Sequence, residues 1–117
     1  MSQPPYDLDA ARRPHVLAGV QEVCARRAWG LLAAHVRPAH VHVVVAAGDT
    51  AEKVLHALKS YASRRLNAAG LDTPDRKRWA RHGSTRYLWH RQAVEEAVAY
   101  VVDEQGPPME VYDVRKK

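Results

Sequence analysis

Two apolar, β-branched segments lie close together near the middle of the chain, and the short connection between them limits the possible folds. The segments are Leu31–Val36 and His40–Ala46, and the connection is Arg37-Pro38-Ala39. A connection of this length cannot carry a parallel crossover, which needs a dozen or more residues. The two segments are therefore predicted to pair as an antiparallel hairpin.

Further strand and helix patterns surround this hairpin. Apolar residues recur at helical spacing in three segments, and two other segments have the composition of strands. The predicted elements are a short strand or extended arm at Pro4–Leu8, helix Ala10–Ala28, the hairpin, helix Ala51–Ala69, strand Thr85–Trp89 and helix Gln92–Glu104, with a short last strand at Met109–Val114. The order β-α-β-β-α-β-α, with helices packed on an antiparallel sheet, defines an α+β fold. One domain over residues 1–117 is expected, with its core at about 9–105 and a tail at 106–117.

Composition narrows the class of protein. The 117 residues are 46% hydrophobic and 26% charged, which is typical of a soluble globular domain. No apolar run approaches the roughly 20 residues that a membrane helix needs, so no membrane partner is expected. The first residues lack the pattern of a secretory signal. Cys24 is the single cysteine, so no internal disulfide is possible and a cytoplasmic location is expected.

Positive charge is concentrated in the second half of the chain. Between Arg64 and Arg91 there are eight lysines and arginines but only two aspartates, whereas the whole chain has a net charge of +5. A stretch of this kind is either a solvated surface or a binding surface for a polyanion such as nucleic acid.

Two histidines, His40 and His42, lie within the second strand of the hairpin. Side chains alternate across a strand, so both rings share one face with Val44, while the other valines form the opposite, core-facing side. Neutral imidazoles at this spacing are suited to hold one divalent metal ion. The alternative is a half-exposed strand whose polar face happens to carry two histidines. His35 of the first strand is expected to approach the pair across the hairpin.

The last predicted helix carries a tyrosine among carboxylates. Tyr100 and Glu104 are four residues apart and Glu96 lies one turn earlier, so all three share one face of the helix. A phenol is a poor nucleophile at neutral pH unless a metal or base prepares its target. Taken alone, Tyr100 also fits an amphipathic side chain at the edge of a core.

The combination of these features resembles the small single-tyrosine HUH transposases, the insertion-sequence-two-hundred group with the REP-associated tyrosine transposases as relatives. The stretch "RPAHVHVVV" at 37–45 resembles the histidine strand of that family. Lys59 with Ser60 resembles its basic segment, and Trp79–Trp89 resembles its tryptophan-containing run into a strand. Gln92–Gln105 resembles its terminal tyrosine helix. The resemblance covers about residues 9–105 and implies the HUH, ferredoxin-like form of the α+β fold.

The resemblance implies metal-dependent cleavage and rejoining of single-stranded DNA. His40 and His42 would hold Mg²⁺ or Mn²⁺, and Tyr100 would form a 5′-phosphotyrosine. The third metal ligand of the family is a glutamine four residues after the tyrosine; that position is Glu104 here, and Gln105 follows it. Glu104 is the favoured ligand, because carboxylates suit hard cations, and Gln105 is the alternative.

The same resemblance implies contacts with DNA and with a second copy of the chain. The basic residues expected to follow the phosphates are Lys59, Arg64, Arg65, Arg76, Lys77, Arg78, Arg81 and Arg86. Trp79, Tyr87 or Trp89 is expected to stack on unpaired bases. The expected partners are DNA hairpin ends and a second protomer in a homodimer. Two alternatives stay open: Tyr61 is a rival nucleophile, and an inactive relative would bind hairpins without cleaving them.

Overall fold

The computed structural model describes residues 6–73, 76–79 and 86–116 and has an α+β architecture, as predicted. The elements are α1 (Arg13–Arg27), β1 (Gly30–Val36), β2 (Val41–Ala46), α2 (Ala51–Ala68), α3 (Arg91–Asp103) and β3 (Glu110–Asp113), followed by a 3-10 turn at Val114–Lys116. No helix in these described ranges combines the length and apolar character that crossing a membrane requires.

The centre of the sheet is the predicted antiparallel hairpin of β1 and β2. Val36 pairs with Val41 at its closed end, and the backbone N–H of Arg37 donates to the carbonyl of His40 at 2.8 Å. β3 pairs antiparallel with the other side of β1, which gives the strand order β2-β1-β3. β1 is therefore the central strand, and it has hydrogen-bonded neighbours on both sides.

The alternation of side chains divides the sheet into two faces. Helices α1 and α2 cover one face and enclose the larger core, to which β1 contributes Ala34 and Val36. Helix α3 covers the other face, where Ala33 and Val44 contact Val98 and Val101 in a smaller core. Even-numbered residues of β2 face α3, because they alternate with the valines that pack on the larger core.

Local sequence signals explain both ends of α2. The hydroxyl of Thr50 accepts a hydrogen bond from the backbone N–H of Lys53 at 3.3 Å, which caps the first turn. The chain leaves the helix through Gly70, whose φ of 72° lies in the left-handed region that glycine adopts at little cost. The predicted end of this helix at Gly70 is confirmed.

Helix α1 is shorter than predicted. The carboxylate of Asp9 accepts from the backbone N–H of Arg12 at 2.9 Å, so residues 9–12 form a turn and the helix begins only at Arg13. At its other end Ala28 has a φ of 57° and terminates the helix before Gly30, at the steric cost that a Cβ has in this region.

The two flanking strands predicted at Pro4–Leu8 and Thr85–Trp89 are not strands in the described residues. Near the first, the N–H of Leu8 donates to the carbonyl of Pro38 at 2.8 Å, and the chain then turns into α1. In the second, the Tyr87 hydroxyl accepts from the N–H of Ala51 at 3.0 Å, so the segment lies beside the start of α2. Residues 4, 5 and 85 lie outside the described ranges. Of the predicted order β-α-β-β-α-β-α, the first and the fourth strand are therefore not formed in the described residues.

Gly19 provides a test of how tightly α1 and α2 pack. A Cβ at this position would lie 2.9 Å from the backbone N and Cα of Ala62. Overpacking costs about 1–3 kcal/mol, and the higher helix propensity of alanine offsets up to about 1 kcal/mol. Gly19→Ala is therefore expected to lower the free energy of unfolding by about 1 kcal/mol in urea denaturation.

Gly48→Ala is the matched control, because nothing lies within 4 Å of its added Cβ. Equal stability of Gly19→Ala and the unmutated chain would mean that the two helices separate without cost.

Candidate catalytic site

The two histidines predicted as metal ligands lie side by side at the start of β2. His40 is exposed immediately before the strand, and His42 is half-buried within it. Their ring centroids are 6.0 Å apart and the ring planes are inclined by 35°. Since His42 shares its face with Val44, this pair lies on the side of the sheet that α3 covers.

Tyr100 of α3 lies against the same pair. Its ring centroid is 6.4 Å from that of His42, and the two rings are nearly perpendicular at 87°. Val98 and Val101 anchor this part of the helix in the smaller core, while the Tyr100 side chain itself is 53% exposed. The structure thus brings the candidate nucleophile to the histidines and leaves it open to a substrate in solvent.

The electrostatic environment of His42 favours its neutral form. Burial lowers the pKa of the imidazole, and electrostatic interactions with His40, His35 and Arg37 lower it further. A neutral ring keeps a nitrogen lone pair available for a metal ion. The chemistry of this donor set therefore fits a divalent cation.

The residues predicted as third metal ligand are placed at the end of the tyrosine helix. Glu104 is the exposed residue that follows α3, and its N–H donates to the carbonyl of Tyr100 at 3.3 Å. The side-chain amide of Gln105 donates to the same carbonyl at 3.2 Å. Among the described residues, no group of three or more histidine, cysteine, aspartate or glutamate side chains is placed to hold a metal ion. The predicted ligands that the structure brings together are His40 and His42.

One of the predicted DNA-binding residues, Arg78, is buried. Its guanidinium donates to the Asp72 carboxylate at 3.1 Å, and the two side chains are only 3% and 6% exposed. Arg78 also donates to the side chain of Asn67. A side chain held in this way ties Asp72 to Asn67 of α2, and its charge is not presented to solvent.

Asp72 is the centre of a network that joins three parts of the chain. It accepts from the Tyr6 hydroxyl at 2.6 Å and from Arg12 at 3.2 Å, besides Arg78. Burial alone would raise the pKa of this carboxyl, but the hydrogen bonds from these partners outweigh it and lower the pKa. The contribution of the network to folding is therefore present at neutral pH and is lost as the pH falls below the ordinary value of 3.8.

The other predicted DNA-binding residues fall on several surfaces. Arg65 forms an ion pair with Glu22 at 3.0 Å, and Arg76 lies 4.8 Å from the centroid of the Tyr6 ring. Lys77 and Arg86 are exposed, whereas Lys59 is half-buried. Arg81 lies outside the described residues.

Arg64 lies over the ring of Tyr61 at 5.0 Å, on the helical layer across the sheet from the histidines. Both residues line an open groove together with Arg27 and Lys53, which sequence reasoning did not select. The structure therefore does not bring the rival nucleophile Tyr61 to the histidine pair.

The aromatic side chains that were predicted to stack on unpaired bases lie in two different environments. Trp79 donates its indole N–H to the Ser63 hydroxyl at 2.8 Å and packs against the larger core. Tyr87 and Trp89 instead stack on each other at 5.6 Å, and Trp89 is 80% exposed. The exposed pair lies on the segment that leads directly into α3.

Comparison with known proteins identifies the family. The family described as "Transposase IS200 like" matches residues 8–101, which is most of the chain and includes the histidine pair and Tyr100. The chain belongs to this family, and membership supports a transposase role, that of a DNA-processing enzyme. No curated protein and no solved structure shows significant similarity to the chain.

Replacing Arg78 tests its structural role. Breaking a buried ion pair by removing one partner costs about 3 kcal/mol, so Arg78→Ala is expected to lower the free energy of unfolding by that amount in urea. Arg86→Ala, at an exposed position, is expected to change it by less than about 0.5 kcal/mol. Weakened binding to hairpin DNA with unchanged stability in Arg78→Ala would contradict this assignment.

The lowered pKa of His42 predicts that its ring is neutral, and able to bind a metal ion, at neutral pH. In NMR titrations the His42 ring is expected to protonate below its ordinary value of 6.5, because burial disfavours the charged form. Mn²⁺ is therefore expected to broaden the His42 ring signals at about pH 7, where the ring is neutral. The signals of His15, on α1, are the control and stay sharp. A His42 midpoint above 6.5 would refute the assignment.

Proposed function

We propose that the chain is a metal-dependent transposase that cleaves and rejoins single-stranded DNA through a 5′-phosphotyrosine, acting as a homodimer on hairpin ends. The observation that carries the proposal is the contact of the Tyr100 ring with His42, at 6.4 Å between centroids. Membership of the transposase family supports this interpretation of the contact, because it assigns the chain a DNA-processing role. A histidine pair and a tyrosine on different elements, brought together on one face, are the groups that such a reaction needs.

Each residue of the site has a distinct part in the proposed reaction. His40 and His42 would hold Mg²⁺ or Mn²⁺, which when bound supplies Lewis-acid polarisation of the scissile phosphate. The Tyr100 oxygen attacks phosphorus, a bond forms between them, and the bond to the 3′ oxygen breaks. The phenol proton leaves to solvent, to which Tyr100 is half exposed, and the departing 3′ oxygen takes up a proton. In the reverse reaction a 3′-hydroxyl attacks the phosphorus of a phosphotyrosine on a new strand. A phosphodiester bond forms, and the bond between phosphorus and the tyrosine oxygen breaks.

The remaining ligands of the cation, besides His40 and His42, would be oxygen atoms. Phosphate oxygens of the DNA and water suit Mg²⁺ and Mn²⁺, and Glu104 and Gln105 lie at the end of the helix that carries Tyr100. We propose Glu104 as the protein ligand, with Gln105 as the alternative, because carboxylate oxygens suit hard cations.

The stacked pair of Tyr87 and Trp89 is proposed as the platform for unpaired bases. Base–aromatic stacking is worth about 1–3 kcal/mol per base and tolerates any sequence. The exposed face of Trp89 and the nearby Arg86 offer a ring and a cation in the segment just before the tyrosine helix. Single-stranded DNA bound there would lie at the amino-terminal end of the helix that carries Tyr100.

A covalent-adduct assay tests the proposed function. Labelled single-stranded hairpin oligonucleotides are incubated with the protein and Mn²⁺, and the products are separated on a denaturing gel. A protein-linked band is expected with the unmutated chain and with Tyr61→Phe, because Tyr61 lies on the other helical layer. Tyr100→Phe is expected to give no band, since it lacks the attacking oxygen.

Chelation and substitution of the histidines complete the test. EDTA and the double variant His40→Ala, His42→Ala are expected to reduce the band by at least about a hundredfold while hairpin binding remains. A clear mobility shift without any covalent band from the unmutated chain would contradict the proposal and favour a binding-only relative.

A further inference from the structure

A third histidine, His35, is completely buried in the central strand and has a partner at each ring nitrogen. Its Nδ1 lies 2.9 Å from the carbonyl oxygen of Val101, and its Nε2 lies 3.1 Å from the backbone nitrogen of Met109. Neither partner lies in the hairpin, since Val101 belongs to α3 and Met109 precedes β3. One ring therefore connects β1 with the end of α3 and with the segment that leads into β3.

The two partners determine which nitrogen carries the proton. The carbonyl of Val101 can only accept, so Nδ1 must donate to it. The backbone N–H of Met109 can only donate, so Nε2 must present its lone pair. His35 is thus a neutral ring in the Nδ1–H form.

The carbonyl that His35 binds belongs to the last turn of the tyrosine helix. The last four carbonyls of a helix have no partner within it. In α3 the Tyr100 carbonyl is satisfied by Glu104 and by the side chain of Gln105. The next carbonyl, that of Val101, is satisfied by His35. This helix end is therefore fastened to the central strand at the residue that follows the nucleophile.

The same histidine is in register with the metal-ligand strand. His35 pairs directly with His42 across the hairpin, and Tyr100 contacts His42 from above the sheet. A shift of the Val101 carbonyl away from His35 would move Tyr100 relative to His42, because adjacent residues of a helix move as one body. The distance between nucleophile and histidine pair is thus fixed through His35.

We propose that His35 is a positioning residue that holds Tyr100 at its reacting height over His40 and His42 through the Val101 carbonyl. The inference rests on the proposed nucleophilic function of Tyr100. His35 touches neither DNA nor the reacting atoms. Its hydrogen bond to Met109 keeps the ring in the form that donates to Val101, so that the bond to Val101 is the one that positions the helix.

Two substitutions of His35 distinguish a role in positioning Tyr100 from a role in stabilising the fold. Asparagine places an amide N–H near the Nδ1 position, so His35→Asn keeps the bond to Val101 and loses that to Met109. Glutamine reaches the Nε2 position with its carbonyl oxygen, so His35→Gln keeps the bond to Met109 and loses that to Val101. Each variant loses one hydrogen bond of the same buried ring, which makes them matched controls for stability.

The readouts are the single-turnover rate of adduct formation and the Kd for the same hairpin. His35→Gln is expected to slow adduct formation by about a hundredfold, the cost of a displacement of about 1 Å at a reacting group, with Kd unchanged. His35→Asn is expected to stay within severalfold of the unmutated rate. Equal rates in the two variants, whether both normal or both slow, would overturn the inference while the unmutated chain still forms its adduct.

An NMR readout is independent of the chemistry. ¹⁵N shifts of the His35 ring in the unmutated chain are expected to show the Nδ1–H form, and the Nε2–H form would overturn the inference. Cross-relaxation between the rings of His42 and Tyr100 is expected in the unmutated chain and in His35→Asn, and is expected to be lost in His35→Gln. Absence of an adduct from the unmutated chain, with these signals as expected, would refute the proposed function and leave the placement of Tyr100 by His35 supported.

Discussion

The antiparallel pairing of β1 and β2 is the constraint on which the rest of the structure depends. A strand register fixes which face every side chain occupies, and a slip of one residue would exchange the two faces. In the observed register the odd-numbered valines of β2 complete the larger core, and His40 and His42 face α3. The closed end of the hairpin holds this register with the hydrogen bond between Arg37 and His40.

The hairpin could be predicted from the sequence because its causes are local. The short connection and the β-branched composition are visible within a few residues, and alternation along β2 then assigns the histidines and valines to opposite faces. Helical periodicity likewise placed Tyr100 on α3, and Gly70 marked the end of α2. The family resemblance rested on the same local patterns.

The features that sequence reasoning missed depend on partners far along the chain. Arg78 reads as a surface cation because its burial depends on Asp72, which in turn is held by Tyr6 from 66 residues away. Residues 86–89 have strand composition, but composition does not show what a segment lies beside, and here the Tyr87 hydroxyl accepts from the backbone N–H at the start of α2. The hydrogen bond of His35 likewise depends on Val101, which is 66 residues away in the sequence.

His35 and its two partners are far apart in the sequence, and this separation determines the order in which the parts of the site assemble. Contacts between residues close in sequence form before those that require long loops to close. The hairpin that carries His40 and His42 is local, whereas His35 meets Met109 across 74 residues. A chain emerging from the ribosome therefore completes its histidine strand before the tyrosine helix has been synthesised. Until the carboxyl-terminal part docks, the half-folded molecule has the two histidines of the proposed metal site but not yet Tyr100, the proposed nucleophile, beside them.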